Sequence, residues 1–271
     1  MTKNPELATV FHGLHRGPEL LILANAWDAG SARLIESLGA RAIATTSAGM
    51  AWVHGYPDGD AVPAPVVLGA AAAIARVIRV PLSMDVEAGY SDDPDAVGRF
   101  AAALIEAGAV GINLEDGGGS PDLLCAKIAR IRKVAGELGV ELFINARTDV
   151  YLRGLGPEAG RLAETLARAA RYRDAGASGI FVPGLVEPAA ITAVTSAIDL
   201  PLNLLAWPGL PSAPELARLG VRRLSAGSSI AQAALGHVRA LAAAFLRDGH
   251  RDAPAAGAIT HRDMNALISG R

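Results

Sequence analysis

Cys125 is the single cysteine among 271 residues. No intramolecular disulfide can form, so nothing in the chain points to an oxidising compartment. Aromatic residues make up only 4% against 51% hydrophobic residues overall, so the core must be built from aliphatic side chains and alanine. With 30 glycines, that composition suits close packing of helix on sheet and many tight turns. Excess charge is also missing: 25 basic and 27 acidic residues leave a net −2. Lys127, Arg130, Arg132 and Lys133 stand beside acidic neighbours without forming a one-sided basic stripe, and nucleic acid is not an expected partner. The first residues, Met1-Thr2-Lys3-Asn4-Pro5-Glu6, carry no apolar signal core, and later apolar runs are interrupted by Arg or Asp. No membrane partner is expected, and the expected location is cytoplasmic.

What the chain does contain is a repeated unit. A helical pattern ending in glycine runs straight into an apolar strand at Gly39-Ala40-Arg41-Ala42-Ile43, Gly108-Ala109-Val110-Gly111-Ile112 and Gly176-Ala177-Ser178-Gly179-Ile180. Glycine supplies the left-handed cap a helix needs before the chain turns. Continuous apolar runs, read as strands buried on both faces, number eight: near 21–25, 41–46, 80–86, 109–114, 140–145, 178–182, 201–205 and 221–225. Helical patterns separate them, among them Asp95 to Ala107, Pro157 to Ala175 and Ser229 to Leu246. The expected fold is α/β, a closed parallel (β/α)₈ barrel over 1–248. No phosphate-binding glycine fingerprint follows the first strand, which argues against a doubly wound dinucleotide fold. Residues 249–271 are expected to be a hinge around Asp252-Ala253-Pro254-Ala255-Ala256-Gly257 and a last helix, Arg262 to Ile268. That helix should pack on the barrel or on a neighbouring subunit.

Chemistry concentrates where strands end. Asp85 and Glu87 stand two apart at the end of the third strand, so both side chains can face one side while Val86 faces away. Glu115 closes the fourth strand, and Asp58 lies in the loop Tyr56-Pro57-Asp58-Gly59-Asp60. Hard oxygen donors without His or Cys partners suit Mg²⁺, with Mn²⁺ as a substitute, and water filling several positions. Singly, each of these acids could be a helix cap or turn residue; four on one barrel face favour a metal. Arg147, ending the fifth strand, needs an anionic partner: Asp149 or Glu115 in a salt bridge, or a substrate carboxylate. Thr45-Thr46-Ser47-Ala48-Gly49 offers backbone N–H groups to an anion. Trp27 walls a pocket or staples the first helix, and Asn203 must find a hydrogen-bond partner inside its strand. The six histidines show no ligand spacing.

Together, Trp27-Asp28, Ser31-Ala32-Arg33, Ser47-Ala48-Gly49, Pro57-Asp58, Asp85-Val86-Glu87-Ala88-Gly89-Tyr90, Glu115-Asp116 and Ala146-Arg147-Thr148-Asp149 resemble the isocitrate lyase/phosphoenolpyruvate mutase superfamily. The resemblance runs in order from about residue 20 to 230. It implies an α/β barrel in homo-oligomers, tetramers or dimers, that exchange a C-terminal helix, and a site holding Mg²⁺. By it, Asp85 would be the main metal ligand, with Glu87, Glu115 and Asp58 holding its waters. Trp27, Ser47, Ala48, Gly49, Asp85, Arg147 and Asn203 would surround an α-oxo acid, and Asp58 and Arg147 would be catalytic. The implied activity is a Mg²⁺-dependent lyase that cleaves a C–C bond beside an α-oxo acid through a metal-stabilised enolate. Oxaloacetate decarboxylation or an aldol-type cleavage are its leading cases. The alternatives are a phosphonopyruvate hydrolase or mutase, and a non-catalytic oxo-acid binding protein. Two departures stand out. The Lys-Lys/Arg-Cys-Gly-His loop of the carbon–carbon lyases is absent, with only Gly117 to Ala126 between Asp116 and Lys127, and so is the Lys-Thr-Asn loop of the phosphonate enzymes. Cys125, in Leu123-Leu124-Cys125-Ala126, is expected on an inward helix face, buried and inert.

Overall fold

A computed structural model of the chain describes residues 3–249 and 257–270. Eight strands form one parallel sheet: β1 (Leu21–Leu23), β2 (Ile43–Ala44), β3 (Leu82–Asp85), β4 (Gly111–Glu115), β5 (Phe143–Arg147), β6 (Gly179–Phe181), β7 (Leu202–Leu205) and β8 (Arg223–Ser225). Neighbours follow chain order, and β1 pairs with β8. The last gap, between β1 and β2, is bridged just beyond the strands, where Ala26 N–H donates to the Ala44 carbonyl (2.8 Å) and Thr46 N–H to that of Ala26 (3.0 Å). The result is the expected (β/α)₈ barrel. Its strands are shorter than the apolar runs because strand pairing stops where the chain bends into each loop, while burial continues.

The helices around it are α1 (Pro5–Leu14), α2 (Ala29–Ser37), α3 (Ser47–Val53), α4 (Ala64–Val77), α5 (Pro94–Ala107), α6 (Pro121–Glu137), α7 (Arg161–Asp174), α8 (Pro188–Ala197), α9 (Ala213–Arg218), α10 (Ser229–Asp248) and α11 (His261–Ser269), with a 3₁₀ turn at Glu158–Gly160. Their starts follow local chemistry. Asp93 accepts from the Asp95 and Ala96 N–H groups ahead of Pro94, and Ser120 caps α6 ahead of Pro121. Gly108 ends α5 at φ 108°, a conformation other residues resist. Between helices and sheet lies one core of Leu, Ile, Val and Ala, including Ile74, Leu104, Ile128, Ile144 and Val194. Each such buried side chain stabilises the fold by about 1.5–3 kcal/mol.

α1 closes the N-terminal end of the barrel, with the Phe11 ring edge-on to Phe143 at 5.3 Å. A Cβ on Gly111 would lie 2.6 Å from the Phe11 ring, so the fourth strand can run past that ring only as glycine. The hinge expected at 252–256 falls outside the described residues. α11 lies on α2 of the same chain, held by Arg33 Nε donating to the Leu267 carbonyl at 2.9 Å. α10 differs from the other long helices: Leu235, Val238, Phe245 and Leu246 are exposed along it. Over Ser229–Arg247 it is long enough, and at mean hydropathy 1.3 apolar enough, to match a bilayer span by length and composition, although it includes Arg239 and Arg247. The interruption expected from sequence is therefore only partial.

Candidate active site

The C-terminal ends of β3, β4 and β5 stand side by side, so Asp85, Glu115 and Arg147 emerge together at the barrel mouth. Register places Glu115 directly opposite Arg147. Asp85 is fixed from its own neighbours. Its backbone N–H donates to Thr45 Oγ1 (2.8 Å), and its Oδ2 accepts the backbone N–H of Ser47 (3.1 Å), the first residue of α3. Thr46, at the N-cap of α3, makes no side-chain cap. The first amide of this helix is thus spent on Asp85, and the Thr46 side chain satisfies none of those that follow. Gly49 is required by space: a Cβ there would sit 2.8 Å from both Thr46 Cγ2 and Trp27 Cβ. Trp27 itself is tied through its N–H to Ser31 Oγ, and Asp28 and Ser31 form a capping box on α2.

Glu87 follows in a strained turn. Among the described residues, the only non-glycine residues with positive φ are Asp60 (56°), Glu87 (51°) and Tyr90 (57°), and they touch one another. Asp60 N–H donates to Glu87 Oε2, Tyr90 O–H to Glu87 Oε1 (3.4 Å) and Tyr90 N–H to Asp60 Oδ1 (3.3 Å). Such conformations cost about 1–3 kcal/mol each and persist where the surroundings impose them. Asp60, two residues beyond the expected Asp58, makes the loop's hydrogen bond to Glu87. Asp58 is exposed and acts on Asp85 and Glu87 only through its charge. Sequence gave little warning of this, since Asp58 and Asp60 both flank Gly59.

Arg147 is ion-paired with both Glu115 and Asp149. Its Nη1 lies 2.5 Å from Glu115 Oε2, while Nε and Nη2 donate to both oxygens of Asp149 (2.7 and 3.1 Å). Asp149, fully buried, also accepts from Arg153, and its N–H donates to Asp116 Oδ1 at 3.0 Å. Asp116 Oδ2 in turn takes Tyr172 O–H (2.6 Å) and Arg168 Nη1 (2.8 Å) from α7. This second layer escaped sequence reading because its members lie as far as 56 residues apart. Asn203 faces the barrel interior, where its Oδ1 accepts from Ser225 Oγ (3.1 Å) and its Nδ2 has no partner. Beside it lies Arg223, fully buried and in contact with Asn113 and Ser225. Cys125 is only half-buried, with burial pushing its thiol upward. Lys127 is not a surface base: it is buried and donates to the Ala88 carbonyl at 2.8 Å, behind the Glu87 turn.

Electrostatically the mouth is overloaded with negative charge. Burial, then Asp60, Asp58 and Asp85, push Glu87 up to about 7. Burial pushes Glu115 up to about 8, with Asp85, Asp149 and Glu87 adding to the rise and Arg147 opposing it. Asp85 is raised too, by burial and Asp58, against Arg147 and the Ser47 N–H. Crowded carboxylates with no imidazole or thiolate among them are the donor set of a hard divalent cation. Among the described residues no three such groups close to chelating distance. The set therefore fits a cation held directly by few protein oxygens and otherwise by water.

A parallel barrel whose acids and arginine gather at the strand C-termini is the architecture of a barrel enzyme. The family model described as phosphoenolpyruvate phosphomutase matches residues 11–246, and the chain belongs to that family, within the phosphoenolpyruvate mutase/isocitrate lyase superfamily of lyases and mutases. An uncharacterized protein of Mycobacterium tuberculosis H37Rv is 39% identical over 246 residues, 89% of this chain and 90% of that one. A solved structure from Burkholderia cenocepacia J2315, provisionally named a phosphonomutase, is 41% identical and superposes with a TM-score of 0.83 over 88% of this chain and 99% of its own. Oxaloacetate decarboxylase of Pseudomonas aeruginosa PAO1 is 29% identical over 230 residues, 80% of this chain and 77% of that enzyme. In fold alone, a phosphonopyruvate hydrolase solved with oxalate and Mg²⁺ matches at 23% identity and a TM-score of 0.85, over 97% and 95% of the two chains.

Proposed function

We propose that this protein is a Mg²⁺-dependent, cytoplasmic lyase that cleaves a C–C bond beside the oxo group of a small α-oxo dicarboxylate, with oxaloacetate decarboxylation the leading reaction. The observation that carries this reading is the mouth itself: Asp85 pinned by the Ser47 amide, ringed by carboxylates whose protons are held too tightly for surface acids. Asp85 would hold the cation directly, and Glu87, Glu115 and Asp58 would hold its waters; Mn²⁺ would substitute. Support for the metal comes from this donor set and from the Mg²⁺ in the phosphonopyruvate hydrolase structure. Bound there, Mg²⁺ would supply positive charge against the negative charge that develops on the oxo acid.

The chain's own groups do the rest. The amides of Ala48 and Gly49, aligned at the start of α3, donate to the substrate's carboxylate and oxo end, where each can strengthen as charge builds. Trp27 walls that end. Arg147 commits three of its five N–H donors to Glu115 and Asp149. The remaining two are available to the anionic end of the substrate, and the flanking acids fix the fork's orientation. Asn203 Nδ2 is a further unspent donor below.

Between β4 and α6 the chain has only residues 116–120, so no long loop reaches over the mouth. Decarboxylation tolerates this: the C–C bond breaks, CO₂ leaves with no proton, and its electron pair stays on the oxo acid fragment, which takes a proton from solvent. The Pseudomonas decarboxylase supports this choice. A second reading, C–P bond chemistry on phosphonopyruvate, is favoured by the family's description and the Burkholderia relative. Proton and phosphorus NMR of the protein with Mg²⁺ and a panel of oxaloacetate, phosphonopyruvate, 2-methylisocitrate and 4-hydroxy-2-oxo acids separates them. Pyruvate appearing from oxaloacetate and abolished by Asp85→Ala supports the lyase. Phosphate or phosphoenolpyruvate appearing from phosphonopyruvate selects the second reading, and turnover undiminished in Asp85→Ala overturns both.

A further inference from the structure

A second pocket lies at the other end of the barrel. A cavity of about 760 Å³ opens at the N-terminal ends of β5 to β8, where α1 crosses the barrel floor. That volume is in the range of small-molecule sites. Its charge is unbalanced among the described residues: Arg16, Arg132 and Arg222 line it against Glu141 and Asp199. Arg132 spends its donors on neutral acceptors, the carbonyls of Gly176 and Leu142 and Ser178 Oγ, at 2.7 to 3.0 Å. Its charge is thereby positioned and left without a bonded carboxylate. Among the described residues, Arg222 donates only to the Val221 carbonyl, and neither it nor Arg16 is in an ion pair. Three guanidinium groups around one concavity are a receptor for an anion.

The cavity's wall is uncharged where His15 lines it. His15 is 3% exposed, lines the cavity and lies flat on Phe143, with ring centroids 4.0 Å apart. Its Nδ1 donates to the Phe11 carbonyl at 2.8 Å, so in the neutral ring Nε2 is an acceptor, and it has no partner. Burial and the nearby Arg223 hold this imidazole neutral, pushing it down to about 3. Here the wall therefore brings no charge of its own against the arginines, and Nε2 is itself buried.

We propose that the barrel floor is a binding site for a small multivalent organic anion, held by the free guanidinium donors of Arg16 and Arg222 beside the positive charge of Arg132. The site is independent of the acidic mouth, which lies at the opposite ends of the same strands. β5 connects them, since Phe143 begins the strand that Arg147 ends.

Citrate, a small tricarboxylate, is the probe. Calorimetry on the full chain without divalent cations, with the His15 ring followed by NMR, is the measurement. Saturable citrate binding below about 10 mM is expected. In the Arg16→Gln/Arg222→Gln double variant it should weaken at least about 10-fold, while Asp85→Ala leaves it unchanged. Both substituted arginines lie at the surface or half-buried, so equal melting temperatures will show that the variant folds. No saturable citrate binding to about 10 mM overturns the site. So does binding lost in Asp85→Ala but kept in the double variant, which would place citrate at the mouth.

Discussion

Asp85 is the residue on which most depends, because it combines a fixed orientation with a raised proton affinity. Its replacement by alanine should lower kcat/KM by about 10³-fold or more, as measured by NMR turnover, with little change in melting temperature. Partly accessible at a strand end, the side chain contributes charge to the mouth more than packing to the core. Gly49 makes a contrasting case. Gly49→Ala forces a methyl against Thr46 and Trp27, and overpacking of that kind costs about 1–3 kcal/mol. The expected result is a lower melting temperature together with a raised KM for the oxo acid, because the displaced turn carries the amides that would bind it. Asp85, Glu87, Glu115 and Arg147 were legible in the chain because charged residues end apolar runs. Asp60 was not: its contact depends on a left-handed turn that nothing in an Asp-Gly-Asp triplet specifies.

Elements decide how firmly the site is held. α7 reaches the mouth through Arg168 and Tyr172, which grip Asp116; Asp116 receives the Asp149 amide, and Asp149 orients Arg147. Asp116→Ala would leave the Tyr172 phenol, the Asp149 amide and Arg168 Nη1 without that acceptor, Glu164 still holding Arg168 Nε. Removing one partner of a buried pair costs about 3–5 kcal/mol, so a drop of roughly 10 °C or more in melting temperature is expected by calorimetry. Asp116→Asn, which keeps an acceptor oxygen, should recover part of it. At this scale the sequence supplied the glycine-ended helices and the order of strands. It did not supply the pairing of α7 with the β4 loop, because side chains about 50 residues apart meet only once the barrel closes.

At the scale of the whole molecule, charge and exposed apolar surface make two predictions. Glu87 and Glu115 have folded values near 7 and 8, above their ordinary 4.5. The metal-free fold therefore binds more protons than the unfolded chain between about pH 4.5 and 8, so their contribution is fully present below about pH 4.5 and is lost as pH rises through 7 to 8. Melting temperature without divalent cation should fall over that window, and added Mg²⁺ should restore more of it at pH 8 than at pH 6. A cation-free melting temperature that rises across the window would refute the assignment. α10 supplies the second. Its exposed Leu235, Val238, Phe245 and Leu246 form more apolar surface than a lone helix face usually leaves to water, and we predict a homo-oligomer that buries it. Light scattering should give a mass of at least twice 27.8 kDa, reduced in Val238→Glu/Leu246→Glu.

By itself the sequence determined the class of fold and which residues bring charge to it. Hydrophobic periodicity and glycine caps are local properties, and eight buried strands alternating with helices leave few ways to cover both faces of a parallel sheet. The tertiary structure alone decided which acids meet, that Arg147 is paired on both sides, and that His15 and three arginines share a cavity at the floor. Those are contacts between residues distant in the chain. Their geometry is set by barrel closure and strand register, which no single βα unit carries.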